Sequence, residues 1–184
     1  MENEFFEMSY FNAPITNKMP LRTVNLTEVA EMVKSTSLEP QTQALRAITD
    51  KEEARRYKGW HFPYVTPCGT FSHCSDACIQ RYSGMLCMDL DHLEDAEALK
   101  RKLINDQLFE TLMAFRSPSG DGLKWFLKID LERCGYRQWF DGVRNYLLSS
   151  YGLSAKQADP SVRNESRACF LCYDPEISVE KLKN

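Results

Sequence analysis

Hydrophobic positions change their spacing several times along the chain, and each change marks an element. Leu26, Val29, Ala30 and Val33 recur at helical spacing. Asn25 followed by Glu28 forms a capping box in front of them. A second helix is expected near 41–48, and Thr49 followed by Glu52 opens a third that runs to about Lys58. Before these helices, residues 1–22 scatter aromatics (Phe5, Phe6, Tyr10, Phe11) without a clear period, which suits an N-terminal strand or arm.

Beyond Trp60 the texture becomes extended. Phe62 to Pro67 and Gly69 to Phe71 read as short extended pieces with turns, and 75–82 as a short helix. The apolar run from Met85 to Leu90, bounded by Gly84, reads as a buried strand. A helix is expected over 94–108, then two strands, 112–115 and 123–129, joined by a small-residue loop. Residues 136–149 form an amphipathic helix that Gly152 can stop, and 168–173 the last strand. Strand pairs mixed with helices predict an α+β fold (mixed α/β), a mixed or antiparallel sheet with helices packed on it. Residues 1–48 are expected to form an N-terminal extension whose helices pack on the core, with 49–184 as the main domain.

Composition narrows the setting. At 184 residues, with 43% hydrophobic and 27% charged, the chain suits one domain with an extension. No stretch is long and apolar enough to cross a membrane. The acidic start Met1-Glu2-Asn3-Glu4 lacks a signal-peptide pattern, and seven cysteines with no secretory signal suit reduced thiols, so a cytoplasmic setting is expected. A net charge of −3 argues against coating nucleic acid by bulk charge, but leaves room for a local basic groove.

Three segments carry candidate chemistry. In Cys87-Met88-Asp89-Leu90-Asp91, strand alternation points both aspartates to one face, while Leu86, Met88 and Leu90 anchor the other. Two neighbouring carboxylates repel unless a cation or solvent screens them, and Mg²⁺ or Mn²⁺ prefers oxygen ligands. The alternative is a strand running into solvent with two surface acids. In Ser117-Pro118-Ser119-Gly120-Asp121-Gly122-Leu123-Lys124, small residues let the backbone approach a phosphate, and Lys124 follows the turn. An ordinary glycine-rich hairpin turn explains the same residues. Finally, Asp159 can complete a metal site and Arg167 can clamp a phosphate, although Asp159 to Arg167 also reads as a polar surface loop.

In this order the motifs resemble the archaeo-eukaryotic primase superfamily. More closely, Ser83 to Leu93, Ser117 to Lys124, Asp159, Ser166 to Phe170 and Tyr173-Asp174-Pro175 resemble the VirE N-terminal-type domains of Bacteroides-like bacteria. The likeness covers roughly residues 45–178. It implies a primase-polymerase-like core, with 49–184 as a catalytic domain acting in DNA replication of a mobile element or plasmid. Asp89, Asp91 and Asp159 would hold catalytic Mg²⁺ or Mn²⁺. Ser119, Gly120, Lys124 and Arg167 would bind a nucleoside triphosphate, with Lys124 at the place where the superfamily carries a histidine. The implied partners are a DNA template and a helicase-like protein.

Other signals carry less. Cys68, His73, Cys74 and Cys78 have zinc chemistry but lack a paired C-x-x-C knuckle, and Cys169 and Cys172 fall on opposite faces if their segment is a strand. His61 reads as a structural or surface residue; His92 follows the acidic pair within reach of a metal, but is not expected to be a ligand; Trp125 and Trp139 read as core. Arg55-Arg56 with Lys58, and Lys100-Arg101-Lys102, read as solvated helix faces or a template-binding rim. Two other classes compete with the enzyme. One is a non-catalytic primase-like module that binds nucleic acid or recruits a helicase. The other is a nucleotide-sugar transferase, against which stand the short chain and the missing acceptor domain.

Overall fold

The computed structural model describes residues 6–179; Met1 to Glu4 and Phe5 lie outside them. Among the described residues the fold is α+β, with two four-stranded sheets and a hairpin in which every pairing is antiparallel. The first sheet contains β1 (Glu7–Phe11), β2 (Arg22–Asn25), β3 (Tyr64–Thr66) and β9 (Cys169–Phe170), ordered β2-β1-β3-β9. The second contains β6 (Met85–Leu90), β7 (Thr111–Arg116), β8 (Leu123–Lys128) and β10 (Ser178–Val179), ordered β10-β7-β8-β6. The hairpin is β4 (Gly69–Phe71) with β5 (Ile79–Tyr82).

Five α-helices surround these sheets: α1 (Leu26–Lys34), α2 (Glu39–Ala47), α3 (Lys51–His61), α4 (Ala96–Leu103) and α5 (Tyr136–Ser150). The Asn25–Glu28 capping box opens α1, and Leu26, Val29, Ala30 and Val33 are its buried residues. After α5, Gly152 takes a φ of 67°, the left-handed conformation that ends a helix at low cost. Within the first 48 residues, β1 is an interior strand, paired on one side with β2 and on the other with β3.

Four expectations shift on inspection. Asp50, not Thr49, caps α3, accepting from the Glu53 N–H at 2.8 Å. Residues 75–82 are not one helix but a 3-10 turn, Asp76–Cys78, followed by β5. Only Ile79 of β5 is even partly buried, so there is no apolar stripe to hold a helix, and pairing with β4 supplies the backbone partners instead. The helix expected over 94–108 is α4, begun by an Asp95 cap and finished by Leu103. Asp106 then accepts from the N–H groups of Leu108 and Phe109, a local bond that competes with helix continuation. The strand expected over 168–173 is only β9. The N–H groups of Tyr173 and Asp174 go instead to Thr42 Oγ1 and Val33 O, which ties this segment to α2 and α1.

Two cores flank the second sheet. Leu86, Met88 and Leu90 enter one of them together with Leu99 and Leu103 of α4 and Phe140, Val143 and Leu147 of α5. Met85, Met113, Phe115 and Phe126 enter the other, shared with α1 and the first sheet. Full burial of a leucine or methionine contributes about 2 kcal/mol. Both faces of β6 are therefore anchored in a core, and charge appears only at the end of the strand, at Asp89. That charged end lies where β6 and β8 approach the residues around β9.

Candidate functional site

Asp89 stands directly opposite Lys124 in the β6–β8 register. Alternation places both on the face turned toward β9, and Lys124 Nζ lies 2.5 Å from Asp89 Oδ1. Lys124 is 5% exposed. Burial opposes its positive charge, but the Asp89 carboxylate, with Cys169 and Cys87 acting in the same sense, holds the lysine above its usual range. Asp89 Oδ1 is itself buried and relies on the Lys124 ammonium as its close partner.

Asp91 follows at the end of β6, its N–H bonded to Gln157 O at 3.0 Å. Burial first, and the Asp89 charge second, push its carboxyl above the usual aspartate range; Lys124, Lys58 and His92 act in the opposite sense. The loop between β7 and β8 closes over this end. A Cβ on Gly122 would lie 2.5 Å from Leu90 O, 2.8 Å from Ser117 Oγ and 3.2 Å from Asp91 Oδ1, so only glycine allows this approach. Ser117 Oγ is buried without a hydrogen-bond partner. Leu93 N–H donates to Asp121 O, and His92 Nδ1 lies 3.2 Å from Asp121 Oδ2.

Gly120 takes a φ of 88° and donates its N–H to Ser117 O within the turn, so that amide is already engaged. Ser119 is exposed at the tip. The carbonyls of Ser117 and Pro118 accept from Arg46 of α2, each at 3.2 Å. An arginine from α2 thus latches the loop, a contact across 71 residues that no local sequence signal announces.

Arg167 reaches the same place from the loop that leads into β9. It lines a narrow crevice of about 10 Å³ with Asp89, Lys124, Cys87, Tyr136 and Cys169. Asp159 is exposed and caps a 3-10 turn, accepting from the N–H and hydroxyl of Ser161, each at 2.8 Å. Those bonds, the backbone one foremost, hold its carboxyl below the usual range, and the charge of Arg167 acts in the same direction. Among the described residues, no three His, Cys, Asp or Glu side chains gather in a group that could hold a metal ion. Asp89, Asp91, Lys124 and Arg167 therefore come together, Ser119 and Gly120 form the adjoining turn, and Asp159 stands to the side, bonded to Ser161. Cys68, Cys169 and Cys172 are buried, and all seven cysteines are free.

One more cation belongs here. Ala54, Tyr57 and Lys58 occupy the inward stripe of α3, and the first two pack on the core. Lys58 lies over the Phe170 ring, 5.7 Å from its centroid. Burial and Lys124 lower its basicity, while Asp89, Asp91 and Asp121 act to keep it charged. A lysine on the inward stripe of a helix is the signal that marks it; as part of the Arg55-Arg56-Lys58 run it reads as a solvated face or a template-binding rim. The profile of the BT4734-like N-terminal domain matches residues 58–178, so the matched region begins at this lysine and spans well over half the chain. The chain belongs to the BT4734-like N-terminal domain family. Within this BT4734-like domain, all the site residues on β6, on β8 and around β9 fall inside the matched region, and Arg46 falls before it. No curated protein and no solved structure matches the chain.

Proposed function

We propose that this BT4734-like domain is a primase-polymerase-type nucleotidyltransferase. It would bind a nucleoside triphosphate with Mg²⁺ or Mn²⁺ and act on a DNA template in replication of a mobile element, alongside a helicase-like protein. The observation that carries this reading is the end of β6, where Asp89 and Asp91 share one face with Lys124 opposite and Arg167 lining the same crevice. The donor set fits a hard divalent ion. Asp89 offers a buried oxygen held only by the exchangeable ammonium of Lys124, and Asp91 is a carboxylate that burial disfavours in its charged form. Mg²⁺ in nucleotide sites is commonly held by one or two carboxylates plus substrate phosphates, so two acids suffice. The finer kinship, with VirE N-terminal-type domains and the archaeo-eukaryotic primases, rests on the motif order.

In this reading Asp89 and Asp91 hold the ion, which supplies Lewis-acid stabilisation of phosphoryl charge when bound. Lys124 exchanges its partner, releasing Asp89 and turning to a phosphate oxygen. Arg167 meets the phosphates from the opposite wall, as a planar donor suited to two oxygens at once. Lys58 adds a third positive group, and Ser119 and Gly120 border the entry.

A second reading is favoured by two observations: the crevice is too small for a nucleotide, and Asp159 does not join the other aspartates. It makes the domain a non-catalytic module whose Lys124–Asp89 pair replaces the metal. Calorimetric titration of a nucleoside triphosphate with Mn²⁺ separates the two. The first reading expects metal-dependent binding that disappears in an Asp89→Ala, Asp91→Ala variant. Absence of metal-dependent binding by folded wild type leaves the second.

A further inference from the structure

We infer that the outer face of α3 is a binding surface for a single-stranded polynucleotide, which it feeds toward the carboxylate end of β6; this rests on the reading of that end as a nucleotidyltransferase site. The helix is unusual in burying none of its residues. It is nonetheless fixed: Asp50 caps it, Ala54 and Tyr57 pack on the core, and Ile15 N–H donates to Gly59 O at 2.7 Å. What it presents outward is Arg55, Arg56 and Trp60, all exposed, with Trp60 at 64%. Neither arginine has an ion-pair or hydrogen-bond partner among the described residues, although Glu52 and Glu53 lie on the same helix.

Spacing organises these groups. Arg56 and Trp60 are four apart and so lie one above the other on one stripe, while Arg55 lies three before Lys58, next to the inward side. Charge therefore continues around the helix from the exposed arginines to Lys58, which stands in the field of Asp89, Asp91 and Asp121. An exposed indole beside unpaired guanidinium groups matches how single strands are held without sequence preference: phosphates neutralised by arginine, a base stacked on an aromatic face. A duplex suits the surface less, because its bases are already stacked and offer Trp60 nothing. The body as a whole is acidic, at −3, so such binding needs a local basic face of this kind.

The test uses the full chain and a fluorescein-labelled oligothymidylate of about a dozen nucleotides, within the usual reach of one binding domain. Anisotropy is read across a salt series. Arg55→Ala with Arg56→Ala is expected to weaken binding about tenfold and to lower the salt slope by about 1.4, two phosphate contacts on a single strand. Trp60→Ala is expected to weaken it by a similar factor, with Trp60→Phe restoring most of the loss because a ring remains for stacking. Circular dichroism confirms that each variant is folded. Wild type that does not bind the oligonucleotide, or variants that bind it with unchanged affinity and slope, overturn the inference. Titration of a nucleoside triphosphate with Mn²⁺ into the Arg55→Ala, Arg56→Ala variant is the separate readout. Heats equal to wild type place the defect on α3 alone; if wild type itself binds no triphosphate, the site reading fails, and the anisotropy series still decides the role of α3.

Discussion

Two clusters of charge lie about the two sheets, and they are built on opposite terms. Around Asp76 every group has a partner. Its carboxylate accepts from the Ser166 N–H at 2.9 Å, the Ser166 hydroxyl at 2.5 Å and Arg137 Nη2 at 2.9 Å, while Arg137 also holds Glu165 at 2.8 Å. Burial acts against the Asp76 charge, but these bonds outweigh it and hold the carboxyl below its usual range. At the end of β6 the balance is reversed. Asp91 is pushed up, Lys58 down, Ser117 Oγ lacks a hydrogen-bond partner, and Asp89 Oδ1 relies on the Lys124 ion pair. A satisfied cluster stabilises the fold and has nothing left to offer a ligand. An unsatisfied one costs the fold stability, and a cation or phosphate can relieve it.

Removing one member of the buried pair sharpens the contrast most. Lys124→Met keeps volume but leaves Asp89 uncompensated beside Asp91, and a loss of about 3–5 kcal/mol is expected in urea melts. Adding Asp89→Asn should recover most of it, because replacing a whole buried pair is often neutral. If the single variant is as stable as wild type, the pair is more hydrated than its burial indicates, and the contrast between the clusters collapses.

A smaller loss is expected in the satisfied cluster. Asp76→Ala should destabilise by about 1–2 kcal/mol, toward the lower end because the side chain is about a third exposed. Metal and nucleotide binding should be untouched in calorimetry.

The smallest effects carry opposite signs, which makes them the most discriminating. Asp91→Asn removes a charge that the folded protein disfavours, so stability at neutral pH should rise by about 1 kcal/mol. Because the folded-state pKa of Asp91 is raised, its penalty grows as pH climbs from the ordinary aspartate value through the raised one, and the advantage of the variant should vanish in acid. Asp76 runs the other way. Its folded-state pKa is depressed, so its contribution is full above the ordinary value and lost as pH falls through the folded one. Asp76→Asn should therefore flatten the acid limb of thermal stability against pH. Matching profiles for the two variants would show that the clusters are electrostatically alike.

Much of this was legible along the chain. The Met85–Leu90 strand, the hairpin-like β7–β8 pair and α5 follow from runs and periods that single segments display, and alternation alone put Asp89 and Asp91 on one face. Cross-strand register was not legible: nothing in a linear reading sets Lys124 against Asp89, although both were singled out. Nor was the latch from Arg46 to the β7–β8 loop, which depends on where α2 docks. The helix expected at 75–82 failed for a related reason, since β5 exists only because β4 offers it a ladder. Lys58 was visible as charge, but its direction depends on which face of α3 meets the core.

The place of β1 has a consequence for what counts as a unit. The family match starts at residue 58, yet β3 needs β1 as its neighbour, and Phe11 stacks on Tyr64 with ring centroids 4.5 Å apart. A piece cut at the border of the match would leave β3 as a raw edge, with Tyr64 and Val65, fully buried in the whole chain, bared beside unpaired backbone groups, an invitation to self-association. The matched region is thus shorter than the sheet to which its first strand belongs. The N-terminal stretch outside the match covers the edge that the matched part would otherwise expose.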